Sequence, residues 1–163
     1  PMANKPHYER VVKLIADAEN YGHEILLDGR SACRAHGYYV GPTIFTNVPN
    51  DSKLAQTEIF GPVVSTEAWD DDEEVICKAN DTIYGLAAGI WSKDVGKAMR
   101  ISDKIEAGTI YINNYFNAAT QSPVGGFKQS GYGRESGWEG MRGFMQTKSV
   151  WLSTAPFQPD PFD

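Results

Sequence analysis

The chain's 163 residues are enough for one compact domain with a buried core and too few to expect two full domains. Apolar residues at 41% and charged residues at 22% match ordinary globular usage, which excludes disordered and collagen-like classes, and no apolar run is long enough to suggest a membrane span. A net charge of −6, with the 15 Lys and Arg scattered along the chain, argues against nucleic acid as a main partner.

No basic-then-apolar leader opens the sequence, so a cytoplasmic protein is expected. Cys33 and Cys77 are far apart and form no paired spacing, which fits a reducing compartment better than a disulfide framework. The sequence starts at Pro1 rather than Met, and the expectation is a piece of a longer protein.

In chain order, apolar residues at Tyr8, Val11, Val12, Ile15 and Ala18 recur at intervals of three and four, and predict an amphipathic helix over 4–18. Asn4 is placed to cap it, with Pro6 in the first turn. A short strand is expected over 24–27, then a turn at Asp28-Gly29 and a polar loop to Gly37. Strand pieces are expected at 38–40 and 43–45, interrupted by Gly41-Pro42, and a helical patch around Leu54-Ala55.

The next strand is expected over 63–68, and Asp71 then caps a helix through Ala79, with Asp72, Glu73 and Glu74 complementing the exposed amides of its first turn. The apolar run 86–91 reads as a strand covered on both faces, Asp94 caps a helix through Lys104, and 109–112 reads as a second buried strand. Strand and helix in alternation imply parallel crossovers in an α/β layer. Residues 114–137 have no period and are rich in glycine, as expected of a functional loop. A helix near 138–144, a strand over 147–152 and an extended proline-bearing tail complete the chain.

For chemistry, Cys77 in Val75-Ile76-Cys77-Lys78-Ala79 reads as a small core-facing helix residue, not a nucleophile. Cys33 and His36 are spaced like two metal ligands, but lack a second pair, and a polar loop is the better account. The glycines from Gly131 to Gly137 miss the dinucleotide fingerprint and do not follow a strand; they read as positive-φ turns. Glu58 is the sharper case. Its carboxylate could accept two hydrogen bonds from vicinal ribose hydroxyls, with Phe60 beside it as a flat wall and Gly61-Pro62 fixing the backbone so that both point outward. A plain exposed Glu with a buried Phe is the alternative.

Four stretches occur together and in order: Glu58-Ile59-Phe60-Gly61-Pro62-Val63; Asn80 followed by Tyr84-Gly85-Leu86-Ala87-Ala88; Ala107-Gly108-Thr109 leading to Asn113; and Pro123-Val124-Gly125-Gly126-Phe127-Lys128-Gln129-Ser130-Gly131, completed by Gly133-Arg134-Glu135. With these the chain resembles the C-terminal part of the aldehyde dehydrogenase superfamily over nearly its whole length, apart from the tail.

The resemblance implies an α/β fold with a mainly parallel sheet and flanking helices, of the aldehyde dehydrogenase catalytic-domain type. Residues 1–146 would be the C-terminal part of that domain, 147–153 an oligomerisation strand and 154–163 an extended tail. The implied activity is oxidation of an aldehyde to a carboxylic acid through a cysteine thioester, with NAD or NADP taking the hydride. Cofactor contacts would be Glu58 on the nicotinamide ribose, Phe60 beside the nicotinamide and Leu86 as a further contact. Asn113 would support the active site, and Glu135 would pass a proton outward.

Tyr115, Phe116, Ala118 and Val124 would line the aldehyde channel. Ala118 and Val124 stand where bulky aromatics often narrow it, which implies a wider pocket without a betaine-type aromatic box. No metal is expected, although the Lys128 and Gly131 carbonyls match an inter-subunit cation site of some relatives. The nucleophile, the general base and the dinucleotide-binding domain would lie upstream of Pro1. The chain alone is therefore expected to be inactive, to bind no dinucleotide tightly, and to belong to a homodimer or homotetramer. A non-enzymatic oligomerisation or binding module, and an acyl-phosphate reductase of the wider superfamily, are the alternatives.

Overall fold

A computed structural model describes residues 1–31, 37–154 and 160–162. The first helix, α1 (Lys5–Asn20), starts where the Asn4 side chain accepts the His7 N–H at 2.9 Å, with Pro6 in its first turn. Its apolar face buries Val11, Ile15 and Ala18 against Val40, Phe45, Val48, Leu54 and Ile59, and this cluster is the main core. Thr43 is the buried polar residue of that core. Its hydroxyl accepts the Gly29 N–H at 3.1 Å and donates to the Gly41 carbonyl, so its burial costs little.

Two small sheets carry the rest. In the first, β1 (Glu24–Leu27) pairs antiparallel with β2 (Thr43–Thr46), and β2 pairs parallel with β3 (Val63–Ser65), with Thr43 opposite Val63. The short α2 (Lys53–Gln56), capped by Ser52, lies in the β2–β3 crossover. In the second, β4 (Ala87–Ile90) pairs parallel with β5 (Thr109–Ile112) in register Ala87 to Thr109. The crossover is α4 (Val95–Ser102), whose Lys97 N–H is accepted by Asp94. Between the sheets, α3 (Asp72–Asn80) is capped by Asp71, and α5 (Gly137–Arg142) follows the glycine-rich loop.

The halves are stitched beside Asp81. Gln56 Nε2 donates to the carbonyls of Asn50 and Asp81, and Asn50 donates to the Asp81 carboxylate. Asn80 is a second node: it donates to the Lys104 carbonyl and accepts the Glu106 N–H, each at 2.8 Å, while its own carbonyl accepts Lys128 Nζ.

Several expectations need correction. Residues 38–40 form no strand, since pairing begins at Thr43 after Gly41-Pro42, and β3 ends at Ser65, not Ala68. The run 86–91 is not covered on both faces. Leu86 and Trp91 are more than half exposed, and β4 alternates exposed and half-buried residues because successive side chains point to opposite faces and one face is left open among the described residues. β5 is half-buried throughout. Cys77 faces solvent, and Ile76 turns toward the core. Residues 147–152 are outside any strand, with Val150, Trp151 and Leu152 almost fully exposed; a strand needs a ladder partner, and none is present among the described residues.

The tail is described only at residues 154 and 160–162, and the Cys33–His36 loop lies outside the described residues. No helix among the described residues is long and apolar enough to cross a membrane.

Candidate functional site

Leaving α2, the chain becomes extended at Thr57. Side chains then alternate: Ile59 is buried, while Glu58 and Phe60 face outward. The backbone is not set by Gly61-Pro62 alone, as the sequence suggested. Phe60 itself adopts φ 56°, the left-handed region that non-glycine residues rarely occupy. Side chains of α1 grip the carbonyls beside it. Arg10 donates to Ile59 O at 2.5 Å and to Glu58 O at 3.4 Å, and His7 Nε2 meets Phe60 O at 2.7 Å. The sequence held no local sign of this grip, because its partners lie about fifty positions apart.

Glu58 opens onto a groove of about 510 Å³ that it shares with Thr57, Tyr84, Leu86, Ala88 and Ser130. The structure thus brings Glu58 and Leu86 together, while Phe60, 72% exposed, stands outside the lining of this groove. Leu86 also borders a neighbouring groove of about 420 Å³ with Val124, Arg134 and Glu135. There Val124 and Glu135 exchange both backbone hydrogen bonds, at 2.8 and 2.7 Å, and Arg134 donates to the Gly126 carbonyl. On the far side of Ile59, a separate apolar cavity of about 320 Å³ lies between α1 and α2, lined by Leu14, Tyr21 and Leu54. Its walls contain none of the expected cofactor residues.

The glycine-rich loop is pinned onto the second sheet by backbone contacts. Phe127 N–H and Gly108 N–H both donate to Gly85 O, and Gly85 N–H donates to Ser130 Oγ. Gly131, Gly133 and Gly137 do have positive φ, as expected, but Gly125 and Gly126 do not. They serve close approach instead: a Cβ on Gly108 would lie 1.6 Å from Gly125 O, and one on Gly126 would lie 2.5 Å from Ser130 Cβ.

Asn113, at φ 55°, is held by the backbone of Ser92. Its Oδ1 accepts the Ser92 N–H and its Nδ2 donates to the Ser92 carbonyl, both at 2.9 Å, tying the end of β5 to the chain after β4. That geometry assigns it a structural clasp. Tyr115 lies at the centre of an aromatic cluster, 5.0 Å from Tyr111, 4.9 Å from Phe116 and 6.1 Å from Trp91 between ring centroids. Trp91 and Tyr111 were not anticipated. Ala118 is exposed, with no cavity among those described here reaching it. Lys128, at φ 51°, pairs with Glu106 at 2.8 Å, and Gly131 follows the turn Lys128–Ser130. Among the described residues, no three His, Cys, Asp or Glu side chains cluster as a metal site would require.

The shifted ionisable groups lie elsewhere. Asp28 is held below its ordinary range chiefly by the Arg30 side chain, and Glu74 by the Asp70 backbone N–H and then by Lys78. These belong to a turn and a helix start, and so have structural roles.

The aldehyde dehydrogenase family profile matches residues 1–150. The chain is 40% identical over 155 residues to rat (Rattus norvegicus) 4-trimethylaminobutyraldehyde dehydrogenase, covering 92% of this chain and 31% of that protein. It is 41% identical to the cytosolic aldehyde dehydrogenase 1 of Macroscelides proboscideus, covering 93% of this chain and 30% of that one. A double mutant of Staphylococcus aureus betaine aldehyde dehydrogenase, solved in complex with NAD+, superposes with a TM-score of 0.90 at 36% identity, over 100% of this chain and 33% of its own. The chain therefore spans about a third of the relatives it matches. With the profile covering most of its length and the α/β neighbours agreeing, the chain belongs to the aldehyde dehydrogenase family.

Proposed function

We propose that this chain is the C-terminal third of an NAD(P)-dependent aldehyde dehydrogenase that oxidises an aldehyde to a carboxylic acid. Within it, Glu58 and Leu86 hold the nicotinamide-ribose end of the dinucleotide, and Phe60 stands beside them. The observation that carries this reading is the solvent-facing Glu58 carboxylate on one groove with Leu86, at the end of a segment fixed by its buried neighbour Ile59. A carboxylate in that position is ready to accept two hydroxyl hydrogen bonds. The dinucleotide, when bound, supplies the hydride acceptor; the part of this chain is to orient it. The NAD+ complex of the staphylococcal relative supports NAD over an unrelated ligand.

In this reading Tyr115, Phe116, Ala118 and Val124 border the aldehyde's approach, with Trp91 and Tyr111 backing the aromatic cluster. Glu135 sits at the rim of the second groove, where an outward proton path would end. The nucleophilic cysteine and the general base belong to the rest of the enzyme, so the isolated chain is inactive. Residues 147–152 become a strand on another subunit, a reading supported by the exposed Val150, Trp151 and Leu152. A complete enzyme that sediments as a monomer contradicts that last point. The cytosolic relative supports a cytoplasmic location.

The test is Glu58→Gln in the complete enzyme. Replacing one carboxylate oxygen by a donor leaves only one good acceptor for two hydroxyls. We expect KM for the dinucleotide to rise about tenfold, which corresponds to about 1.4 kcal/mol. An unchanged KM contradicts the assignment.

A further inference from the structure

We propose that Gly89 on β4 is a positioning residue for the aldehyde: its missing side chain seats the Trp91 and Tyr115 rings, and through them it fixes the Phe116 ring as a wall for a flat aromatic aldehyde. The proposal rests on the reading that Tyr115 and Phe116 border the aldehyde's approach, and it names the substrate class that such a border favours.

The sheet sets the geometry. Gly89 stands opposite Tyr111 in the parallel β4–β5 ladder and Trp91 lies two residues on, so Gly89, Trp91 and Tyr111 share one face. After β5 the chain returns over that face. The Tyr115 ring centroid lies 5.0 Å from Tyr111 and 6.1 Å from Trp91, the latter pair stacked at 26°. Gly89 lies beneath these rings: a Cβ there would fall 2.6 Å from Trp91 Cζ3, 2.9 Å from its Cη2 and 3.1 Å from Tyr115 Cδ2. Its φ is not in the left-handed region, so the glycine provides room and not a special backbone conformation.

Phe116 is what this seat supports. Its ring meets Tyr115 edge to face at 4.9 Å and 89°, and it remains 85% exposed. Its backbone adopts φ 60°, a left-handed conformation uncommon for a bulky residue, and the surroundings must hold it there. The open Phe116 ring offers an aromatic substrate a further edge-to-face or offset contact, which a short aliphatic aldehyde cannot make. Moving Tyr115 moves that wall. The atoms that block a Cβ at Gly89 are ring tips and not backbone, so alanine is accommodated by swinging the two rings, which disturbs the stack and leaves the fold intact.

The experiment measures the complete enzyme with benzaldehyde, propanal and NAD. Gly89→Ala should raise KM for benzaldehyde about fivefold, the scale of one aromatic pair, with KM for propanal, KM for NAD and kcat each within about twofold of the parent enzyme. Trp91→Phe should act in the same direction, because the smaller ring lacks the outer atoms that reach Gly89 and leaves Tyr115 unsupported. The two changes together should recover most of the loss, since the added methyl fills the space that the smaller ring vacates. A merely structural role for Gly89 predicts neither that recovery nor any difference between the two aldehydes. If Gly89→Ala does not fold, Trp91→Phe and the double variant carry the same comparison.

Equal weakening of benzaldehyde and propanal in a single variant, or a double variant worse than both singles, overturns the inference. An enzyme that oxidises propanal but not benzaldehyde also overturns it. A parent-like ratio of the two KM values in Gly89→Ala, beside an altered ratio in Phe116→Ala, overturns the inference and leaves the channel reading standing. A Phe116→Ala enzyme with the parent's ratio overturns the channel reading and this inference with it.

Discussion

Three glycines from three separate motifs meet in space. Gly85, Gly108 and Gly125 bring the chain before β4, the start of β5 and the long loop into backbone contact: Gly108 N–H reaches Gly85 O at 3.0 Å, and a Cβ on Gly108 would fall 1.6 Å from Gly125 O. The obstructing atom is a backbone oxygen, which cannot step aside as a side-chain tip would. Gly108→Ala should accordingly displace the loop that carries Val124 and Glu135 and destabilise the protein by about 3 kcal/mol or more, read as a lowered Tm. A Tm unchanged from the parent protein contradicts the close-approach account. The motif stretches contained these glycines, but the sequence assigned them no conformational role. Their actual role depends on what backbone lies opposite, which no local pattern encodes. The partner of Asn113 was hidden for a similar reason, since its amide meets the backbone of Ser92, twenty-one positions away.

Helices were the most legible elements, because their signals are local. Asn4, Asp71 and Asp94 each accept an amide of the first turn as their positions implied. At the start of α3 the acidic run is wired further than its composition suggested. Glu74 accepts the Asp70 N–H at 2.8 Å and pairs with Lys78 at 2.7 Å, and Lys78 also pairs with Glu67. These contacts lower the pKa of Glu74, first through the backbone N–H of Asp70 and then through Lys78. A lowered folded-state pKa favours folding above the ordinary carboxylate range, and the contribution fades as pH falls through the folded value. Glu74→Gln should thus lower Tm slightly at neutral pH, with the gap closing in acid. A gap that is constant with pH, or that widens in acid, contradicts the linkage.

Strands were less legible. The period identified β1, β2 and the β4–β5 pair, but burial depends on neighbours. The expectation that 86–91 is covered on both faces failed because Leu86 and Trp91 face solvent. The side of α3 that Cys77 occupies was equally undetermined, because neighbouring Ile76 satisfies the same period.

Across the whole molecule, the exposed apolar residues fit the proposal that this chain packs against the remainder of a longer enzyme and, at 150–152, against another subunit. Leu86 on the Glu58 groove, Tyr115 and Phe116 in the aromatic cluster, and 150–152 at the end of the described main body are all turned outward. The fold class could be anticipated from the four motifs. The grip of α1 on the 58–60 segment could not, because it joins two stretches that local patterning treats separately.

The central claim is that the chain holds half of a dinucleotide site, complete only in the longer protein whose relatives are about three times its length. Its most direct test is a calorimetric titration of NAD into the 163-residue chain and, in parallel, into the complete enzyme. The account predicts saturable binding to the complete enzyme and no measurable heat from the chain alone. Equal affinity in the two titrations would contradict it.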